Sequence, residues 1–126
     1  MNFENLGLAE ELLKAVASTG YTTPTPVQQR AIPAAIAGRD LLVSSHTGSG
    51  KTAAFTLPAL NRIIDRRPAP GSGPRVLVLT PTRELAQQVE KAVQTYGKAL
   101  RWLNTACLVG GAPMFAQIQQ LQGQCE

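Results

Sequence analysis

The stretch Ser45-His46-Thr47-Gly48-Ser49-Gly50-Lys51-Thr52 follows an apolar run, Leu41-Leu42-Val43, and opens into Ala53-Ala54-Phe55. An apolar strand, a glycine-rich turn and a helix start are the setting that a phosphate-binding loop requires. Gly48 and Gly50 permit a tight turn that aims backbone N–H groups at phosphate oxygens. The helix that follows adds the positive end of its dipole. Lys51 has the reach for β- and γ-phosphates, and the Thr52 hydroxyl suits Mg²⁺. The pattern G-x-x-x-x-G-K-[ST] is met except at its first position, where Ser45 replaces glycine. A chance glycine turn would lack these flanks, so the stretch reads as a nucleoside triphosphate site.

Outward from this loop, strand and helix signals alternate. Leu8, Leu12, Leu13 and Val16 fall on one side of a first helix that Gly20 closes. Thr25 fits an N-cap and Pro26 the first helical position, where its missing N–H costs nothing. Pro33 then predicts two short helices meeting near Ile32, closed by Gly38. A first buried strand is expected over 41–45. The helix after the loop should run from about Gly50 to Asp65, kinked at Pro58. Residues 66–74 are a surface loop by their Pro and Gly content. Val76-Leu77-Val78-Leu79 reads as a strand buried on both faces. A helix near Arg83 to Tyr96 turns Leu85, Val89 and Val93 inward. A third strand is expected over 105–109, then Gly110-Gly111. A last helix near Pro113 to Gln122 carries Met114, Ile118 and Leu121. The implied class is α/β, an open parallel sheet with flanking helices.

With 126 residues, 44% of them hydrophobic, the chain has material for one core. Its formal charge of +4 leans towards anionic partners without identifying one. Cys107 and Cys125 have no metal-ligand spacing, and Cys107 in its apolar run reads as a small core residue. No disulfide framework is implied, which favours a reducing, cytoplasmic setting. No apolar run approaches the ~20 residues of a membrane span. The start, Met1-Asn2-Phe3-Glu4, lacks the basic and apolar regions of a signal peptide. His46, the single histidine, has no catalytic role in this reading.

Three further segments join the loop. Gly20-Tyr21-x-x-Pro24-Thr25-Pro26-Val27-Gln28, the loop ending at Thr52, Pro81-Thr82-Arg83-Glu84-Leu85-Ala86 and Gly110-Gly111 occur in that order. Together they resemble the DEAD-box ATP-dependent RNA helicases, over essentially the whole chain from Phe3 to about Leu121. The resemblance implies the first part of an N-terminal RecA-like domain, with 1–38 as the Q-motif region and 39–126 as the P-loop core. It implies ATP or ADP with Mg²⁺ as cofactors and RNA as partner.

Each segment also has a reading of its own. The Gln28 carboxamide, a donor and an acceptor on a short stem, matches the N6 and N7 edge of adenine. It equally fits a solvated polar residue in the first turn of a helix. The resemblance favours adenine recognition by Gln28 and Tyr21, with Phe3 stacking nearby. Tyr21 and Phe3 could instead be core aromatics. Pro81-Thr82-Arg83 stands where a strand enters a helix, the place where open α/β sheets put ligands. The Thr82 hydroxyl and Arg83 guanidinium suit phosphodiester oxygens. The resemblance gives this segment, and Gly110 and Gly111, the RNA backbone as ligand. Alternatively Arg83 makes a surface salt bridge with a nearby glutamate, and the glycines are a plain turn.

After Lys51 the only acids are Asp65, Glu84, Glu90 and Glu126, and none ends an apolar strand. Phosphoryl transfer requires an acid on a neighbouring strand to hold Mg²⁺. The family's Asp-Glu-Ala-Asp, Ser-Ala-Thr and Thr-Pro-Gly-Arg segments are also absent. The expectation is therefore a truncated helicase domain that binds adenine nucleotide but neither hydrolyses nor unwinds. A regulatory nucleotide-binding module and another P-loop phosphotransferase are the alternatives. A sheet cut after three strands would leave an open apolar edge, and self-association, or an altered path for the last helix, is expected.

Overall fold

The computed structural model describes residues 2–46, 50–66 and 73–122. A single 3₁₀ turn, Phe3–Leu6, is followed by α1 (Glu10–Ser18), α2 (Pro26–Ile36), α3 (Lys51–Ile63), α4 (Arg83–Tyr96) and α5 (Met114–Gln122). The helices form where local chemistry dictates. In α1, Leu12, Ala15 and Val16 repeat at helical spacing and are buried, and Gly20 follows with a left-handed backbone. Thr25 caps α2, its hydroxyl accepting from Gln28 N at 3.4 Å, and Pro26 takes the first helical position. Thr82 caps α4 in the same way, accepting from Leu85 N at 3.2 Å.

One expectation about proline needs correction. The helix from Pro26 is one continuous α2, not two short ones, with Pro33 inside it. Pro33 lies on the exposed side, where water can satisfy the Gln29 carbonyl that it leaves unbonded. The residue before it, Ile32, is fully buried in the core. α3 is one helix, as expected, with the buried Pro58 inside it.

The core lies among α1, α2, α3 and the 3₁₀ turn. Leu12, Val16, Ile32 and Leu57 are its centre, with Phe3, Leu6 and Tyr96 around them. α2 packs most extensively on α3, and α4 covers α3 from another side. The Ala9 N–H donates to Asn61 Oδ1 at 2.8 Å, fixing the entrance of α1 to the far end of α3. Lys98 Nζ donates to Ser18 Oγ at 2.7 Å and joins the end of α1 to the segment after α4.

Among the described residues there is no strand, so the expected parallel sheet is not seen in them. Residues 41–46, 76–80 and 105–109 run without regular structure. They line cavities instead of pairing. Residues 41–46 border a space of about 630 Å³ against Thr25, Pro26 and Arg30. Residues 76–80 and 105–108 border another, of about 360 Å³, with α3 and α4. Parallel strands are stable when flanked on both edges and both faces. Leu77 and Leu79, expected to be buried, are 80% and 85% exposed.

The last helix also departs from expectation. α5 forms, but Met114, Ile118 and Leu121 are exposed, and its buried residue is Gln117. In α4 the expected stripe is present in part, with Val89 buried and Leu85 and Val93 half-buried. Cys107 is half-buried rather than a core residue.

Candidate functional site

Gly50 is the N-cap of α3 and has φ +90°, a left-handed conformation that glycine adopts without strain. A Cβ here would also run into the Gln28 carboxamide and stand 3.0 Å from Thr25 Oγ1. The position therefore requires glycine on both counts. Lys51 and Thr52 start the helix, Lys51 exposed and Thr52 half-buried. Lys51 Nζ donates to Ser45 O at 2.6 Å, so the lysine folds back across the loop it ends. Thr47, Gly48 and Ser49 lie outside the described residues.

Gln28 is 5% exposed, which excludes the solvated reading of this residue. Its Oε1 accepts from Thr25 N at 3.0 Å, completing a reciprocal capping box. Its Nε2 donates to Gly50 O at 3.2 Å, which links the start of α2 to the cap of α3. One N–H and one lone pair of the carboxamide remain for a ligand. Tyr21 is 58% exposed and is not a core aromatic. Phe3 is the reverse: it is buried in the core beside Leu6. Expected as a stacking partner or a core residue, it is the latter here.

Pro81, Thr82 and Arg83 form a second, exposed cluster at the start of α4. Thr80 Oγ1 donates to Thr82 O at 3.1 Å and shapes the approach to the helix. Arg83 makes no ion pair with Glu84 or Glu90 among the described residues; its Nη2 donates to Gly110 O. Gly111, φ +83°, follows with a left-handed backbone, and a Cβ there would approach Arg83 Nη2 to 2.7 Å. The two segments read separately in the sequence are thus in contact. From the other side, Gln117 Oε1 accepts from Val109 N at 2.7 Å, and its Nε2 donates to Ala112 O at 3.4 Å. Sequence reasoning passed over Gln117. The available signal was a glutamine six positions after the second glycine, in a helix otherwise read by its apolar residues.

Nearby, Thr105 Oγ1 donates to Glu90 Oε2 at 3.1 Å. Burial, with a smaller contribution from the Glu90 charge, pushes the Cys107 thiol above its ordinary range. Burial also raises Tyr96, with Tyr21 adding to the effect. Among the described residues no group of three or more His, Cys, Asp or Glu is placed to hold a metal ion. No described helix is long and apolar enough to cross a membrane.

A family model described as DEAD/DEAH box helicase matches residues 25–126. ATP-dependent RNA helicase dbp2 of Schizosaccharomyces pombe is 47% identical over 121 residues, covering 94% of this chain and 22% of that protein. DEAD-box ATP-dependent RNA helicase RhpA of Helicobacter pylori is 42% identical over 125 residues, covering 99% of this chain and 23% of that protein. The chain thus spans under a quarter of either relative. Among solved structures, RNA-helicase Prp28 of Chaetomium thermophilum bound to ADP superposes with a TM-score of 0.82 at 41% identity. That match covers 95% of this chain and 30% of Prp28. A DEAD box protein of Methanococcus jannaschii gives a TM-score of 0.83 at 34% identity, over 96% of this chain and 32% of that one.

Proposed function

Because the chain belongs to the DEAD/DEAH box helicase family, we propose that it is the adenine-nucleotide-binding first part of an ATP-dependent RNA helicase. The observation that carries this reading is the bridge from Gln28 to Gly50 O. It puts a carboxamide with a spare donor and acceptor beside the cap of the phosphate-loop helix. That is the arrangement needed to hold a base and its phosphates at once. Residues 1–38 supply the base side, with Gln28 facing the adenine edge and Tyr21 stacking on the ring; the buried Phe3 supports them from the core. Residues 39–126 supply the phosphate side, with Ser45, Thr47, Gly48, Ser49 and Gly50 as the cradle. Lys51 swings from Ser45 O to the phosphates, and Thr52 holds Mg²⁺. Pro81, Thr82, Arg83, Gly110 and Gly111 face an RNA backbone.

The reading includes a RecA-like parallel sheet whose strands are 41–45, 76–79 and 105–109 once they are flanked on both edges. Until then the exposed Leu77 and Leu79 favour self-association, which light scattering across a concentration series would detect. A cytoplasmic location belongs to the same reading. The chain by itself binds nucleotide without turning it over, because no acid after Lys51 ends an apolar segment. Titration with fluorescent ADP and GDP, with and without Mg²⁺, tests the proposal. ADP should bind in preference to GDP, and Lys51→Ala should weaken ADP at least tenfold. Equal affinity for the two nucleotides would overturn the adenine assignment. Multiple turnover of ATP that Lys51→Ala abolishes would overturn the non-catalytic one.

A further inference from the structure

The turn Val109–Ala112 is gripped by two side chains from two helices. Arg83, on the first turn of α4, donates to Gly110 O. Gln117, in α5, accepts from Val109 N at 2.7 Å and donates to Ala112 O at 3.4 Å. Three peptide groups, every second one along the segment, are therefore held from outside the turn, which makes no regular secondary structure of its own. Gln117 is also the buried residue of α5, while Met114, Phe115, Ile118 and Leu121 of the same helix are exposed. A helix that exposes its apolar side chains and buries a carboxamide is not oriented by apolar burial. It is oriented by what the carboxamide bonds to.

We infer that Gln117 is a positioning residue for the Gly110–Gly111 turn, acting opposite Arg83 so that the turn and the start of α4 form one rigid RNA-facing surface. The inference rests on the proposed RNA contact of these segments. Gln117 itself carries no charge and touches no phosphate; it acts through the backbone it holds. Each Gln117 bond limits the turn to one conformation before RNA arrives, so the cost of ordering is met in the free protein. The left-handed Gly111 shares that arrangement, because a side chain there would push Arg83 from Gly110 O.

Two measurements on the full chain separate the positioning claim from the RNA claim. The first is amide hydrogen exchange without RNA. Gln117→Leu should lose protection of the Val109 amide by about tenfold or more. Gln117→Glu, which keeps an acceptor for that N–H, should retain it. Arg83→Gln, an exposed change that leaves the core intact, should shift the Gly110 and Gly111 amide resonances. The second is binding of a short fluorescein-labelled oligo-uridine across a KCl series. Gln117→Leu should weaken binding about tenfold while leaving the slope of log K against log salt unchanged. Loss of a direct phosphate contact would instead reduce that slope by about 0.7.

Unchanged protection of Val109 in Gln117→Leu, or unshifted glycine amides in Arg83→Gln, would overturn the inference. So would full RNA affinity in a variant whose Val109 amide has been released. Absence of oligo-uridine binding by the unaltered chain would overturn the RNA reading, and the exchange result would still decide whether Gln117 holds the turn.

Discussion

Replacing Gln28 with alanine separates a structural glutamine from one that serves only as a base reader. The substitution removes an acceptor 3.0 Å from Thr25 N and a donor 3.2 Å from Gly50 O. Gly50 O keeps its helical bond from Ala54 N at 3.1 Å, so it loses its second partner only. Thr25 N loses its side-chain acceptor and is left to water at a half-buried site. At about 1 kcal/mol for each net hydrogen bond, the expected loss of stability is about 2 kcal/mol. With a urea m-value of about 1.5 kcal/mol/M, the midpoint followed by helical circular dichroism should fall by about 1.3 M. Gln28→Glu retains the capping acceptor but turns a carboxylate oxygen towards the Gly50 carbonyl, and should recover none of the Gly50 component. The measurement is made without nucleotide. A Gln28→Ala midpoint within 0.2 M of the unaltered chain, roughly the error of such extrapolations, would refute the reasoning. Gln28 would then be idle until a base arrives.

Three other outcomes are expected. Leu57→Ala removes a fully buried side chain from the centre of the core and should cost about 3 kcal/mol, read as a urea midpoint; the exposed Leu77→Ser should change it by less than about 0.5 kcal/mol. Gly97→Ala places a Cβ against Leu103 Cδ2 and 2.9 Å from Val93 O at the end of α4, and should destabilise by about 1–3 kcal/mol in the same assay. The raised Cys107 thiol holds less thiolate at a given pH than an ordinary cysteine, so in a Cys125→Ser background its alkylation near pH 8 should be slower than that of free cysteine. Equal rates there would contradict the burial and Glu90 influence assigned to it.

Helices were legible where a single residue type settles the local geometry. Thr25 with Pro26 marks a start that the structure repeats to the residue, and the helix expected near Arg83 begins there, with Thr82 as the cap that the reading had not named. Gln28 was read as an adenine reader and not as a capping partner, although Thr25-Pro26-Val27-Gln28 has the spacing of a reciprocal box. The adenine argument considered only what the carboxamide could offer outward. The apolar runs at 76–79 and 105–109 were readable as sheet material, yet strand pairing depends on neighbours that no local window contains. The reversal of α5 has the same origin. Its apolar spacing is that of a buried face, and only the position of Val109 and Ala112 makes Gln117 the inward residue. Pro33 misled for a different reason: local propensity argued for a break, but α2 continues past it with Ile32 buried in the core.

The bond from Ala9 N to Asn61 Oδ1 gives α3 a second role. Lys51 and Asn61 sit near opposite ends of one helix, about 15 Å apart along its axis. A helix of that length behaves as a rod, so, on the proposed phosphate contact, a tilt at its first turn would reappear as displacement where α1 is tethered. The N-terminal segment is then a pointer on the far arm of a lever. A fluorophore on the exposed Lys14 of α1 would test that coupling by its response to added ADP.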